Sequence, residues 1–275
     1  MNFLKKITII LLFLGIQYDT YGQKPKQRMH LNTTDDARVA IALTIDELPG
    51  QIFTFTMPEV FTLQGFEGGP GGLGNFNGQL WKFNNDGAIA SLSDKNYNYT
   101  LNLSLVETKH KYSLKWKLVF KNNSDHALAD LAAFNCVSMK LAPLFKDDNL
   151  DRTWVTDQKG KKKLIKNVAK TQGEGRRTMQ FYPALGGIKD LSKSQWIQQW
   201  DVNSKEMLTG KKIYIKSNDS NWVLSNEVDG QVAYFFNNFE KTHGCVHASP
   251  LIAAVLAPGK TGVASGSINI IKQQN

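Results

Sequence analysis

Cysteine is nearly absent from this chain: two among 275 residues, Cys136 and Cys245. Two cysteines form no disulfide framework, so the hydrophobic core has to carry the stability. If they pair, the long loop they close adds about 4–5 kcal/mol in the chain-entropy view, but nothing in the sequence brings them together. A Cys-x-x-Cys pair, a His-Glu-x-x-His box and a second cluster of metal-ligand spacing are all missing. Helical periodicity is sparse, which excludes the strand–helix alternation of a parallel α/β fold. No fixed period recurs, which argues against a propeller or a solenoid. Beyond residue 16, no apolar run approaches the roughly twenty residues that cross a membrane as a helix. The glycine-rich stretch Gly65–Gly78 (GFEGGPGGLGNFNG) has no helix after it and no lysine–hydroxyl pair, so it reads as a loop and not as a phosphate cradle. If it lines a saccharide site, Phe66, Phe76 and Trp81 offer stacking faces, and Glu67 is a candidate carboxylate.

What is present begins with a targeting signature. Lys5 and Lys6 precede the ten-residue apolar run Ile7–Ile16, and Thr20 and Gly22 stand at the small-residue positions of a cut before Gln23. Residues 1–22 therefore read as a signal peptide, and the protein as exported, periplasmic or secreted. The polar stretch that follows suggests a flexible mature N-terminus over 23–35, with a single domain over 36–275. The formal charge is +9, and removal of Lys5, Lys6 and Asp19 with the leader leaves +8. A basic exported protein suits acidic polysaccharides, and scattered lysines also suit a plain solvated surface.

The segment Tyr99–Ser124 alternates apolar and polar residues twice. Leu101, Leu103 and Leu105 come first; Tyr112, Leu114, Trp116, Leu118 and Phe120 follow. This predicts a long antiparallel hairpin with one buried face. Lys211–Lys216, NWVLSNE and QVAYFFN predict three more strands, separated by SNDS and VDG turns. Ala264, Gly266, Ile268 and Ile270 line one face of a last strand, and QIFTFTMP and EVFTLQG read as two others. Asp190–Leu208 is the one stretch that suggests a short helix or an irregular insertion. The fold class is all-β: a large antiparallel sandwich with little helix.

Two stretches carry candidate chemistry. In HGCVHASP, His243–Pro250, strand alternation puts His243, Cys245 and His247 on one face. Imidazole and thiolate suit zinc or copper. Three ligands at this spacing spread over about 13 Å, so one ion reaches at most two adjacent ones and needs others from elsewhere. A Cys–His nucleophile and a packed strand with a terminal histidine are the other readings. In Asn135–Val155, a strand carrying Cys136 runs into a turn with Asp147 and Asp148, then Asp151, Arg152 and Trp154. A carboxylate, a guanidinium and an aromatic ring together suit a sugar site; an Asp–Arg surface pair beside a core tryptophan has the same signature.

These two stretches resemble a group of exported bacterial proteins with an Asn-Cys strand, an Arg-Thr step and a closing Cys-x-His-x-x-Pro. The matching positions are Asn135, Cys136, Arg152, Thr153, Cys245, His247, Pro250, Pro258, Gly259 and Gly266. Those proteins look like the galactose mutarotase-like supersandwich, and the leader looks like those of Bacteroidetes. The resemblance covers about the C-terminal half and implies a carbohydrate context. It implies that Asn135, Arg152 and His247 cluster at one cleft, with His247 as acid or base, Asn135 and Arg152 holding the substrate, and Trp154 and Asp151 binding it. Binding, epimerisation, elimination and hydrolysis all stay open, as do a non-catalytic envelope or glycan-binding role and a metal-binding β-sandwich protein. No cofactor and no metal ligands are assigned, and the expected partner is a saccharide and not a nucleic acid.

Overall fold

The computed structural model describes residues 27–34, 40–64, 72–73, 81–170, 178–198, 200, 203–240 and 243–274. Among these the chain forms seventeen strands. They are β1 Met29–Thr33, β2 Ala40–Ile45, β3 Ile52–Thr62, β4 Gly72–Leu73, β5 Lys82–Asn84 and β6 Gly87–Ser93. Next come β7 Tyr97–Glu107, β8 Lys111–Asn122, β9 Leu128–Leu141, β10 Thr153–Asp157, β11 Lys162–Leu164 and β12 Met179–Pro183. The last are β13 Leu208–Lys216, β14 Trp222–Val228, β15 Val232–Asn238, β16 Cys245–Leu256 and β17 Thr261–Lys272. One sheet has eight strands along the path β1-β2-β3-β9-β16-β15-β12, with β4 beside β3. The other has nine, in the order β11-β10-β13-β14-β17-β8-β7-β6-β5.

The predicted hairpin is β7 and β8, paired antiparallel from Tyr97↔Asn122 to Glu107↔Tyr112. Its inward residues, among them Tyr99, Leu101, Leu114, Trp116, Leu118 and Phe120, are buried against the other sheet. Each large apolar side chain removed from water contributes about 1.5–3 kcal/mol, which is what fixes the inward face. β17 lies beside β8 with Ala264, Ile268 and Ile270 buried on the predicted face. Gly266 sits within that row because Trp116 lies across it: a Cβ there would meet the Glu227 carbonyl oxygen at 2.1 Å and the Trp116 ring at 2.4 Å.

Two expectations are corrected. The expected flexible stretch 23–35 contains β1, which pairs with β2 and buries Met29. The stretches read as two strands, QIFTFTMP and EVFTLQG, form one strand, β3. Its register with β9 shifts between Thr56 and Val60, around Pro58, which has no N–H to give to the ladder. The stretch 190–208, expected to hold a short helix or an irregular insertion, contains a 3-10 turn, Leu191–Lys193, and a short helix α1, Gln195–Gln198.

That segment matters for the site. It lies over the outer face of the eight-stranded sheet. Ile188, Leu191 and Ile197 pack there with Phe134, Phe181, Tyr234 and Phe236 in a second apolar cluster, and Trp200 borders it. Its start is seated tightly: Ile188 donates its N–H to the Ala233 carbonyl at 3.1 Å, and a Cβ on Gly187 would meet that oxygen at 2.3 Å. The outer face of the sheet is thus half covered. This explains why β15 is buried at every position and why QVAYFFN reads as nearly continuous apolar sequence.

Candidate functional site

Among the described residues, the other half of that face is a cleft of about 600 Å³. Its floor is the outward row of four adjacent strands. β3 supplies Thr54 and Thr56, β9 supplies Phe134, Cys136 and Ser138, β16 supplies Cys245 and His247, and β15 supplies Phe236 and Asn238. Strand alternation places them there, since the residues between them (Phe55, Val137, Val246, Asn237) point into the space between the sheets and are buried. Trp200 and Phe236 form an aromatic wall where the covering segment ends, and Glu59, Lys140 and His243 add charge or potential charge around the opening.

The expected catalytic histidine, His247, lies in this floor. It is buried, with its ring stacked on Phe134 at 4.1 Å and edge-on to Phe236 at 5.0 Å. Its Nε2 is 3.2 Å from the Cys245 sulfur. Its Nδ1 has no hydrogen-bond partner among the described residues. Cys136, from the neighbouring strand, completes a triangle: the ligating atoms of Cys136, Cys245 and His247 all lie within 4.8 Å of one another. Both cysteines are free thiols. The Cys136 thiol hydrogen-bonds to Cys245. That bond holds Cys245 well below the ordinary thiol range against the upward push of burial, helped by the hydrogen bond to His247. The same bond, burial and the Glu59 carboxylate push Cys136 well up.

The other expected site residues are not brought here. Asn135 has the opposite orientation on β9. It is wholly buried between the sheets, exchanging two 3.3 Å hydrogen bonds with Asn226, which also donates to the Val246 carbonyl at 3.3 Å. It braces β9 and β16 from behind and does not face the cleft. Arg152 belongs to the turn before β10. It donates to the carbonyls of Leu144, Lys146 and Lys216 and lies 3.8 Å from both Asp147 and Asp151. Asp147 in turn accepts from the Arg152 N–H at 3.0 Å and the Thr153 hydroxyl at 2.6 Å. Trp154 stacks on Tyr214 in the nine-stranded sheet at 6.5 Å, with Lys216 over its ring. The Asp151–Arg152–Trp154 group is a turn brace on the second sheet and not part of the cleft lining. Phe66 and Glu67 lie outside the described residues.

Sequence reasoning missed Thr54, Thr56, Ser138, Asn238 and Trp200. The signal for the first three was present in the polar positions of TFTMP and CVSMK, which alternate with buried Phe53, Phe55, Val137 and Met139. What the sequence did not show is that these two rows are adjacent and face the same way.

No family model matches the chain, and no curated protein matches it. Two solved structures are similar over most of both chains. The Slr1438 protein of Synechocystis sp. PCC 6803 aligns with 89% of this chain and 95% of its own, at 10% identity and a TM-score of 0.46. A "putative aldose 1-epimerase" of Escherichia coli K12 aligns with 89% of this chain and 100% of its own, at 11% identity and a TM-score of 0.44. Likenesses this distant leave the chemistry of the cleft to be judged from its own residues.

Proposed function

We propose that this is an exported protein that binds a saccharide in the cleft on the outer face of its eight-stranded sheet. One observation carries the reading: a cavity of about 600 Å³ whose floor presents Thr54, Thr56, Ser138 and Asn238 and whose wall presents Trp200 and Phe236. A sugar ring has hydroxyls around its edge and apolar C–H faces. Hydroxyl and amide partners on one side and an aromatic ring on another match both, and the volume lies in the range of small-molecule sites. Lys140 and His243 at the opening suit a carboxylate-bearing sugar. The leader-like residues 1–22 and the resemblance of the Asn-Cys and Cys-x-His-x-x-Pro stretches to exported bacterial proteins that look like the galactose mutarotase-like supersandwich support the same context. Of the catalytic trio expected from sequence, His247 alone lines the cleft, so the reading stops at binding.

The test is thermal unfolding of the protein with neutral and acidic mono- and oligosaccharides. A ligand at a hundred times its Kd stabilises by about 2.7 kcal/mol. At roughly 2–4 °C per kcal/mol for a domain of this size, that is a rise of roughly 5–10 °C. Thr56→Val should weaken the shift, and a variant on the second sheet, Trp154→Phe, should leave it unchanged. No shift with any saccharide, or a shift lost in Trp154→Phe and kept in Thr56→Val, would overturn the assignment of this cleft.

A further inference from the structure

We propose that Cys136, Cys245 and His247 form a three-ligand site for a zinc-class metal ion, open on its fourth side to the cleft. The site stands on those three side chains and does not depend on saccharide binding.

The first argument is distance. A tetrahedral ion with bonds of about 2.3 Å to sulfur and about 2.0 Å to nitrogen holds its ligand atoms roughly 3.3–3.8 Å apart. The three donor atoms lie within 4.8 Å of one another, and the Cys245–His247 pair is at 3.2 Å. A gap of up to 4.8 Å closes to coordination distance with about 1 Å of side-chain adjustment.

The second argument is strand register, which favours an ion over a disulfide. Cys245 stands opposite Ser138, and Val246 opposite Val137. Cys136 is therefore a diagonal neighbour of Cys245. Diagonal pairs have Cα atoms about 7–8 Å apart, whereas a disulfide needs less than about 6.8 Å. An ion between the sulfurs adds a second bond and spans the difference. Register also resolves the spacing difficulty seen in HGCVHASP. One ion cannot reach His243, Cys245 and His247 along a single strand, but it reaches two neighbours on β16 and one residue across on β9.

The third argument is chemistry and access. Two thiolates and an imidazole select zinc-class or softer ions over magnesium and calcium. Coordination releases thiol protons to solvent. The His247 ring is held by Phe134 and Phe236, so its direction is set by packing before any ion arrives. All three residues line the cleft, which leaves the fourth coordination position facing it. Three protein ligands and one open position is the arrangement of zinc sites that bind or activate a small molecule, in contrast to closed four-ligand structural sites.

The experiment uses cobalt(II) as a spectroscopic probe on reduced, chelator-treated protein without saccharide. The expected result is one equivalent of cobalt per chain, with thiolate-to-cobalt charge-transfer absorption and the intense visible bands of tetrahedral cobalt, both removed by one equivalent of zinc. Cys136→Ser, Cys245→Ser and His247→Gln should each weaken cobalt binding by about tenfold or more, while Trp154→Phe on the second sheet leaves it unchanged. Far-ultraviolet circular dichroism identifies any variant that fails to fold. His247→Phe, which keeps the ring packing, then serves as the second variant and should also lose the bands. Absence of charge-transfer bands with both thiols titratable would overturn the proposal. So would bands that persist in Cys136→Ser and His247→Phe, or a Cys136–Cys245 disulfide that re-forms in air and blocks cobalt. The saccharide melting shift is scored separately, so either reading can fail alone.

Discussion

Replacing Asn135 by Leu separates a structural amide from a substrate-binding one. Asn135 and Asn226 are both fully buried, and each donates to the other at 3.3 Å across the space between the sheets. A leucine removes both bonds and leaves the Asn226 oxygen without that donor. Two net hydrogen bonds contribute about 1 kcal/mol each, and stranding a buried polar group costs about 1–3 kcal/mol. The expected destabilisation is about 3–5 kcal/mol, or a fall in Tm of roughly 6–20 °C. The double variant Asn135→Leu/Asn226→Leu removes both polar partners and should be less destabilised than the sum of the single variants, with a coupling of about 1 kcal/mol or more. Urea unfolding followed by tryptophan fluorescence reads all three, provided the m-value is unchanged. A single variant within about 0.5 kcal/mol of the natural protein, the scale of an ordinary surface change, or strictly additive losses, would refute the bracing role. A well-folded Asn135→Leu that no longer responds to any saccharide would return Asn135 to the binding site.

Gly266→Ala should destabilise by about 2–3 kcal/mol, because the new methyl overlaps the Glu227 carbonyl and the Trp116 ring; an unchanged urea midpoint would show that β17 and Trp116 yield easily. Burial pushes the Lys170 ammonium down to about 7, against the opposing pull of Glu206. The unfolded chain holds that proton until about pH 10.4, so this lysine lowers stability most below pH 7, and stability rises between about pH 7 and 10. Lys170→Met should be more stable than the natural protein at pH 6, with the difference shrinking by pH 10; the opposite trend in pH-dependent melting would contradict this assignment. The Tyr112 hydroxyl, Lys272 and Arg28 hold the Glu47 carboxyl below its usual value, with burial opposing them. Its stabilisation is therefore present above the ordinary carboxylate pKa and lost as pH falls through the lowered one. Glu47→Gln should melt lower at pH 7, and the two proteins should converge in acid.

Alternation alone was enough to read the all-β class, the β7–β8 hairpin and the last strand. A strand with one buried face writes a period of two into its sequence, and that pattern survives without neighbours. The same pattern says that a strand has two faces but not which of them meets the other sheet. Asn135 and Cys136 were read together, yet adjacent residues on a strand point opposite ways: one braces the sheets and the other opens on the cleft. Arg152 and Trp154 looked like site residues for their chemistry, but the second sheet uses them to hold a turn. The covering of β15 by Ile188, Leu191 and Ile197 was not legible, because strands buried on both faces lose their alternation. The meeting of Cys136 with Cys245 and His247 was decided only by tertiary structure. It depends on β9 and β16 becoming neighbours in one register, and that contact lies more than a hundred residues apart in the chain, where no local pattern records it.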